Sequence, residues 1–598
     1  MRTLGSMTSW KHMVGITEIM QLRRPCWSVR DYTKSASLKR EELVDAGQPT
    51  YNTHPELVAP TEIMPGISSE EFALRRQKLA EAVPPGSLVI LGAATIKQMT
   101  EAVPYPYRQD ADFLYFTGCQ QPGGIAVIDD RSGFCMFMPQ PDPEREIWDG
   151  RIAGPDTAVD IFGADRAYST RQIPEILPEM IRGSSKIIYD TSSPKPLFWG
   201  LPDIQEALKN YRVQTIQKYS HKLRWIKSPS EILRMKEVAD ITCQGFLKTM
   251  SVSKHFAHER ILAATVEHEC RIRGAQRMSF PTVSAGGASA SVIHYSRNDK
   301  HIQEESMVLL DAGCELHGYV SDMTRTWPVS GSFSDTNREV YEIVLETMKE
   351  CFKLCKPGAT LREIHMQSGL VLSRGLLKLG LISDISSIGR SYRTFNPSAV
   401  GHYLGMDVHD CAAVSVDIPL QPGVVITIEP ALYIPVNSTI PERLRGIGVR
   451  IEDEVLITST GHEILTESAP KEVDEVESWL AQCLHLTEPS AQINLHTPEP
   501  HQELAYTTEK KDFWKGIDVE CDTALVLSQN NGVAPVLVLN RGEHIFYYSI
   551  LLEDLWCSLQ AVDLVHGLST ARMHTRDLRY GLLKLPFISF SGISKYQP

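Results

Sequence analysis

The sequence predicts a protein of the α/β (α+β) class with two successive domains, and two patterns predict it. Between residues 65 and 218, strand-like apolar runs alternate with helical stretches, as in an α/β domain. From residue 219 to residue 485, a long helix is followed by a mixture of helices and strands separated by Gly and Pro. With 598 residues, of which 42% are hydrophobic, the chain can bury more than one core.

Residues 65–218 start with a predicted helix. Ser68 and Ser69 precede EEFALRRQKLAEAV, in which acidic residues and an amphipathic pattern follow a capping serine. Strands are predicted in the apolar runs SLVILG, GIAVID, FCMFMP and KIIYD, and a further helix in IPEILPEMIRG. Residues 41–64, which are rich in Pro and Thr, are predicted to be a linker ahead of this domain.

The second domain, residues 219–485, starts near a long helix. The stretch SPSEILRMKEVADITCQGFLKTM predicts a helix that is capped near Ser228 and Ser230 and carries Glu231 in its first turn. After this domain, residues 486–598 form a C-terminal extension of unknown role. It contains no recognisable motif, and a few strands are predicted in it.

The first 40 residues differ in composition from the rest of the chain. They contain eight Lys and Arg residues against two acidic residues, Glu18 and Asp31, and many Ser and Thr residues. An Arg-rich, Ser-rich and acid-poor N-terminus is typical of a mitochondrial presequence, and the alternative is a disordered basic tail. The presequence interpretation predicts a mitochondrial protein, and a cytoplasmic location is expected otherwise.

Composition excludes several classes of protein. The formal net charge of -13 argues against nucleic-acid binding, which needs a basic face, and favours a small or peptide substrate. No run of about 18 apolar residues is present, so no integral membrane segment is expected. The 12 cysteines include no CxxC pair, which indicates reduced thiols rather than a disulfide framework.

Five side chains that are far apart in the sequence share one local setting. Each lies at the end of an apolar, strand-like run or beside a turn, and such positions direct side chains into a shared pocket from a rigid sheet. These residues are Asp311, Asp322, His402, Glu429 and Glu452. Taken singly, an Asp at a strand end is usually a turn or cap residue, and a lone His is usually a surface or core residue.

The charge of this set indicates metal ions. Asp311 and Asp322 flank a Gly-containing turn, GCELHG, and a hairpin of that length brings both carboxylates to one point. Four carboxylates that converge with one imidazole would repel one another severely, and burying them unpaired is costly. Two divalent ions balance this charge. Ligation mainly by oxygen favours manganese, although cobalt or zinc could substitute, and the chain is predicted to be a metal-dependent hydrolase.

The segments DAGCELHGYVSDMTRTWPV, HYLGMDVHD, ITIEP and GVRIEDE resemble those of the dinuclear pita-bread metallopeptidases, the family of aminopeptidase P, prolidase and methionine aminopeptidase. The resemblance covers most of residues 65–485 and includes RQDADFLYFTG and EIWDGR, which look like the creatinase-like N-terminal domain of aminopeptidase P. The mitochondrial aminopeptidase P type, which includes the fungal intermediate cleaving peptidase, is the most similar. This resemblance implies a creatinase-like α/β domain followed by a pita-bread catalytic domain.

The resemblance also implies a role for each of the five residues. Asp311 and Asp322 would hold one ion, with Asp322 also reaching the second. His402 and Glu429 would complete the ligand set of the second ion, and Glu452 would bridge the two ions. A hydroxide between the ions would attack the scissile carbonyl, and Glu429 would pass a proton to the leaving amine.

Four residues match other pocket positions of the family. His294 in SVIHYS and His409 in DVHD would orient the substrate and stabilise the tetrahedral oxyanion. Arg450 and Tyr433 would line the same pocket. From the sequence alone, a buried, hydrogen-bonded histidine is an equal alternative for His294.

Two positions depart from the family pattern. Ser398 stands where the family usually has a histidine four residues before His402, and a hydroxyl cannot carry a positive charge. Ala431 stands where the family commonly has Gly, and its β-carbon would shift Glu429 if the turn needs a positive φ. We expect activity to survive with an altered substrate preference.

Three functions are compatible with this site. The first is an aminopeptidase that removes the N-terminal residue of peptides or imported precursor proteins, with a preference for Pro next or for trimming after presequence cleavage. The second is a prolidase acting on Xaa-Pro dipeptides, and the third is a non-catalytic pita-bread protein that binds peptides. The complete set of five residues argues against the third, and the N-terminal composition and LRGIGVRIEDE favour the first. A homo-oligomer is compatible with each.

Overall fold

The computed structural model describes residues 46–190, 197–383, 392–437 and 439–484, together with the backbone of strands between residues 523 and 549. The chain forms two compact units, Met1–Glu488 and Pro489–Pro598. The predicted presequence, residues 1–40, lies outside the described residues.

The first part of the larger unit is built around a mixed β-sheet. Its strands are β1 (Glu62–Met64), β2 (Ile67–Ser68), β3 (Ser87–Gly92), β4 (Gln98–Thr100), β5 (Val103–Pro104), β6 (Ile125–Asp129), β7 (Gly133–Met138), β8 (Arg166–Ser169), β9 (Lys186–Tyr189) and β10 (Gln214–Thr215). The main sheet has the order β10-β9-β3-β6-β7-β8. β9 runs parallel to β3, and β6 runs antiparallel to both β3 and β7. The four strand runs predicted from the sequence are confirmed.

Helices cover this sheet. They are α1 (Ser69–Ala82), α2 (Ala111–Thr117), α3 (Pro143–Asp149), α4 (Pro155–Asp160), α5 (Ile173–Arg182), α6 (Pro202–Leu208) and α7 (Gln217–Trp225). α1 begins where predicted, because the Ser68 side chain accepts a hydrogen bond from the backbone N–H of Glu71. The segment treated as a linker packs onto this part of the fold: Ala46, Ile63 and Met64 are buried.

The second part combines small antiparallel sheets with longer helices. Its strands are β11 (Arg277–Met278), β12 (Val283–Gly286), β13 (Met307–Ala312), β14 (Cys314–Leu316), β15 (Tyr319–Val320), β16 (Met323–Pro328), β17 (Val425–Ile428), β18 (Ala431–Tyr433), β19 (Gly448–Arg450), β20 (Asp453–Ile457) and β21 (His462–Ile464). Its helices are α8 (Pro229–Val252), α9 (Glu259–Ile272), α10 (Asp335–Phe352), α11 (Leu361–Lys378) and α12 (Val473–Leu484).

The long helix α8 starts at the predicted cap. Ser228 and Glu231 form a capping box, in which each side chain accepts a hydrogen bond from the backbone N–H of the other residue. Residues of α8, α9, α10 and α11 form the largest apolar core together with the inner faces of the sheets. The fold class predicted from the sequence is confirmed.

The predicted hairpin between Asp311 and Asp322 is present. β13 pairs antiparallel with β16, and Asp311 lies opposite Thr324. The turn between them is itself a small ladder of β14 and β15. Gly313 makes this possible, because a Cβ at this position would lie 1.7 Å from the carbonyl oxygen of Ser321.

A second apolar core joins the two parts of the larger unit. Phe72 and Phe113 from the first part belong to the same cluster as Tyr319, Leu404 and Met406 from the second. Burying apolar side chains from both parts together stabilises their contact. The loop after His402 therefore lies directly against the first part of the fold.

The smaller unit contains an antiparallel sheet in the order β22 (Thr523–Leu527), β23 (Val536–Arg541) and β24 (His544–Ser549). The strands predicted in the C-terminal extension are thereby confirmed. Within the described ranges, every helix is too short or too polar to cross a lipid bilayer. The nine described cysteines are all buried.

Candidate metal centre

Three of the predicted residues form the centre of the site. Asp322, His402 and Glu452 each place a ligand atom within 4.8 Å of the other two. His402 Nε2 lies 3.3 Å from Asp322 Oδ2. Its Nδ1 lies 3.1 Å from the carbonyl oxygen of Tyr403, which can only accept, so Nδ1 carries a proton and Nε2 is the atom that would bind a metal ion after losing its own proton.

Glu429 lies beside His402. Its Oε1 is 3.6 Å from His402 Nε2, and it directly follows β17 and precedes Pro430, as its position after an apolar run predicted. Gly401 lets the His402 segment approach β17, because a Cβ at this position would lie 1.9 Å from the carbonyl oxygen of Thr427. The backbone N–H of Thr427 donates to the carbonyl of His402 at 2.9 Å, so the two segments are hydrogen-bonded.

Asp311 forms an ion pair with an arginine of the protein, Arg450. Its Oδ2 accepts a hydrogen bond from Arg450 Nη2, while Oδ1 is buried and has no hydrogen-bond partner among the described residues. Arg450 Nη1 donates to the Tyr433 hydroxyl at 2.6 Å. Arg450 lies on β19 and Tyr433 on the paired strand β18, and this hydrogen bond brings the two predicted pocket residues together.

The pKa values of the cluster show that the cationic side chains of the protein do not fully balance its negative charge. Burial raises the pKa of Asp311 to about 6 and that of Glu429 to about 7, although Arg450 lowers the first and His402 the second. Burial and the charge of Asp322 raise the pKa of Glu452 well above its usual value. Burial alone would lower the pKa of His402, but the hydrogen bond to Asp322 and the charge of Glu429 raise it to about 9.

This donor set fits divalent metal ions. It offers carboxylate oxygens and one imidazole Nε2, which hard and borderline ions accept. The buried Oδ1 of Asp311 lacks a partner, and a buried polar atom without one is costly. The raised pKa values of the carboxyl groups also reflect missing positive charge, because protons stabilise these buried groups when no cation is bound.

The two predicted pocket histidines lie at the exposed side of the site. His409 packs its ring against His402, with ring centroids 4.4 Å apart. Partial burial and the nearby His402 and His294 lower the pKa of His409, although the charge of Asp322 opposes them. His294 is exposed, so it is not the buried core histidine that the sequence left as an alternative.

The structure answers the question raised by Ala431. This residue is fully buried at the start of β18 and does not belong to the non-glycine residues with positive φ, which are Asn298, His317 and Cys411 among those described. Extended backbone accommodates a Cβ, so alanine is compatible with the turn after Glu429. Ser398 is half-buried, and its hydroxyl donates to Asn396 Oδ1 at 2.9 Å.

Two residues that support the site were missed by the sequence analysis. Thr324 Oγ1 donates to Glu452 Oε2 at 2.8 Å and accepts from Arg450 Nε at 2.9 Å. Glu454 Oε1 accepts from the backbone N–H of Asp322 at 3.0 Å. Each stands two positions after a predicted ligand, and in a strand that spacing places side chains on the same face.

Two family assignments cover the described fold. Residues 72–189 match the aminopeptidase P N-terminal domain, and residues 233–459 match metallopeptidase family M24. The intermediate cleaving peptidase 55, mitochondrial, of Arabidopsis thaliana is 53% identical over 441 residues, which are 74% of this chain and 89% of that protein. The Xaa-Pro aminopeptidase 3 of Homo sapiens is 40% identical over 73% of this chain and 91% of its own.

A solved structure agrees with these assignments. The aminopeptidase P of E. coli, in its low pH form, is 33% identical, covers 70% of this chain and 99% of its own, and superposes with a TM-score of 0.66. Identity at this level over nearly the whole length of each relative carries the fold and the reaction class together. The chain belongs to metallopeptidase family M24, with an aminopeptidase P N-terminal domain ahead of the catalytic part, and is a metal-dependent aminopeptidase.

Proposed function

We propose that Asp311, Asp322, His402, Glu429 and Glu452 hold two divalent ions, for which manganese fits the oxygen-rich donor set. The observation that carries this proposal is the convergence of Asp322, His402 and Glu452 within 4.8 Å inside a cluster of buried carboxylates. Residues 65–218 and 219–485 are the proposed N-terminal and catalytic domains.

The surrounding residues suit peptide hydrolysis. When bound, the ions supply Lewis acidity, which lowers the pKa of water and polarises a carbonyl. Glu429, whose Oε1 lies 3.6 Å from His402 Nε2 inside the site, is placed to pass a proton to a leaving amine. Arg450 keeps Asp311 ionised and oriented. His294 and His409 stand at the open side, where they orient the substrate carbonyl and stabilise its developing charge.

The proposed substrates are the N-termini of peptides and of imported proteins. The relatives are named as an intermediate cleaving peptidase and as Xaa-Pro aminopeptidases, which supports either trimming after presequence cleavage or a preference for Pro in the second position. The basic, acid-poor N-terminal segment and the mitochondrial designation of the Arabidopsis relative support a mitochondrial location.

A substrate panel tests this function. The purified chain with Mn²⁺ is expected to release the first residue from an Xaa-Pro tripeptide or from a precursor-derived peptide that begins with Tyr, Leu or Phe. Released amino acids are measured by mass spectrometry, with metal-stripped protein as the control. Cleavage confined to an Xaa-Pro dipeptide would identify a prolidase, and cleavage of none would favour a peptide-binding protein.

Metal binding is expected to stabilise the protein more as pH rises. The usual pKa values are 3.8 for Asp and 4.5 for Glu, and the folded metal-free protein raises them to about 6 at Asp311 and about 7 at Glu429. A raised carboxyl pKa stabilises the fold below the unfolded value, and that stabilisation is lost as pH rises through the folded value. Bound ions remove the repulsion that remains, and above this range protons no longer compete for these two carboxylates, while His402, whose pKa is about 9, still has to lose a proton to the ion.

The shift of the thermal unfolding midpoint on adding Mn²⁺ to stripped protein should therefore be several degrees at about pH 8 and much smaller at about pH 5. At a hundredfold excess over Kd, binding contributes about 2.7 kcal/mol. The matched control is Glu452→Gln, in which the shift should shrink at both pH values. Equal shifts at both pH values in the unaltered protein would contradict the assignment.

A further inference from the structure

The position of His409 depends on its backbone. The described residues offer its imidazole no hydrogen-bond partner, and its ring contact is with His402. The ring is exposed, so packing does not confine it from all sides. Any group that fixes the backbone of residues 405–410 therefore fixes the Cβ from which this imidazole reaches toward His402.

Two arginines fix that backbone from outside the loop. Arg108 Nη1 donates to Asp407 Oδ1 at 3.1 Å, and its Nη2 donates to the carbonyl of Met406 at 2.5 Å. Arg224 Nη2 donates to Asp407 Oδ2 at 2.8 Å and also to Asp410 Oδ1. The carboxylates on both sides of His409 are thus bound by guanidinium groups, whose planar donors restrict angle as well as distance.

The arginines are themselves anchored. Arg224 is 3% exposed, and its Nη1 donates to Asp112 Oδ1 at 2.7 Å, while Ser220 donates to the other oxygen of Asp112. Arg108 Nε donates to Glu315 Oε2 at 2.6 Å. Asp112 and Arg108 belong to the part of the chain that matches the aminopeptidase P N-terminal domain. The loop is therefore tied to that domain and to β14 at the same time.

We infer that Arg108 and Arg224 are positioning residues that hold His409 in place through Asp407 and Asp410. The inference rests on the proposed function, because only that proposal places His409 at the substrate carbonyl. Through Arg108 and Asp112, it gives the N-terminal domain an indirect part in catalysis. A shift of about 1 Å in a catalytic group can reduce turnover about a hundredfold, so anchoring of the loop matters at this scale.

Arg108 and Arg277 form a matched pair for the test. Arg277 Nη1 donates to the other oxygen of Glu315 and its Nη2 donates to the carbonyl of Tyr107 at 2.8 Å, whereas none of these hydrogen bonds reaches residues 405–410. Both side chains are partly exposed, at 37% for Arg108 and 29% for Arg277. Replacing either arginine removes a hydrogen bond to Glu315, but only replacing Arg108 also removes hydrogen bonds to residues 405–410.

In the full-length chain with Mn²⁺, Arg108→Ala is expected to lower kcat on an Xaa-Pro tripeptide about tenfold and to leave KM nearly unchanged, because an oxyanion contact acts in the transition state. Arg277→Ala should change kcat by less than about twofold. Asp407→Asn provides a second variant on the loop side and should reproduce the loss. Bound Mn²⁺ per chain, measured by atomic emission, should stay at the unaltered value in all three.

A double-mutant cycle decides whether Arg108 acts through His409. In a His409→Ala background, Arg108→Ala should change kcat by less than about twofold, since residues acting as a unit are not additive. Full additivity would overturn the inference, and so would equal losses in Arg108→Ala and Arg277→Ala. If His409→Ala alone leaves kcat unchanged, the proposed role of His409 fails instead, and an unaltered chain that cleaves no peptide refutes the proposed function.

Discussion

Replacing Glu452 by Gln is expected to lower kcat/KM at least about a thousandfold, because the ions supply several kcal/mol of transition-state stabilisation. Glu452 is 2% exposed and lies within 4.8 Å of both Asp322 and His402 at their ligand atoms. The substitution keeps its shape and leaves an oxygen to accept from Thr324. Bound Mn²⁺ per chain, measured by atomic emission, should fall together with activity.

The thermal stability of the metal-free variant distinguishes a loss of metal binding and activity from unfolding of the protein. The pKa of Glu452 is raised well above its usual value by burial and by its neighbours, so the metal-free site disfavours a charged group and accommodates a neutral amide. The metal-free variant should therefore unfold at no lower temperature than the metal-free parent near neutral pH. Glu463→Gln, which removes a surface carboxylate paired with Lys236, should leave both activity and metal content unchanged. Activity retained in Glu452→Gln would refute the proposed site.

Replacing Arg450 by Met is expected to destabilise the metal-free fold by about 3–5 kcal/mol, the usual cost of leaving one partner of a buried ion pair uncompensated. The guanidinium group is buried and donates to Asp311, Tyr433 and Thr324. With Mn²⁺, kcat should fall about a hundredfold, because Arg450 orients the proposed ligand Asp311 and a shift of about 1 Å in a catalytic group can cost that much. Urea unfolding and peptide hydrolysis measure the two effects.

The pH dependence identifies the cause of the destabilisation. The pKa of Asp311 is about 6 even with Arg450 present and should rise without it, so at about pH 5 the carboxyl is protonated and the loss should shrink. Arg443→Met is the control: its partner Glu339 lies at the surface, and such pairs contribute about 0–1 kcal/mol. A loss in Arg450→Met that is small, or that does not change with pH, would contradict this account.

Much of the secondary structure is encoded locally. The cap at Ser228 with Glu231 three positions on predicted where α8 begins, and alternating apolar runs predicted β3, β6, β7 and β9. The hairpin from Asp311 to Asp322 was predicted from its length and glycine content, although the inner ladder of β14 and β15 was not. Register inside a turn of that length depends on close backbone contacts, such as the one at Gly313, that residue type alone does not reveal.

The candidate ligands could be named from the sequence, but the groups that orient them could not. Thr324 and Arg450 are 126 residues apart, and Arg224 and Asp410 are 186 residues apart. Threonine, arginine and aspartate at such positions are common on any surface, and their neighbours carry no distinctive local pattern. Their function is set by which strand or loop is packed opposite.

The sequence by itself determined the fold class and the chemical character of the candidate site, because capping residues, apolar periodicity and five acid or imidazole side chains in order are properties of short segments. Only the tertiary structure decided that Asp311 accepts a hydrogen bond from Arg450 and that the loop of His409 is bound by Arg108 and Arg224. It also decided that His294 is exposed and that Ala431 fits an extended strand. The physical reason is that hydrogen bonds and burial depend on distances of a few ångströms between segments far apart in the chain, and those distances exist only after the strands have paired and the cores have packed.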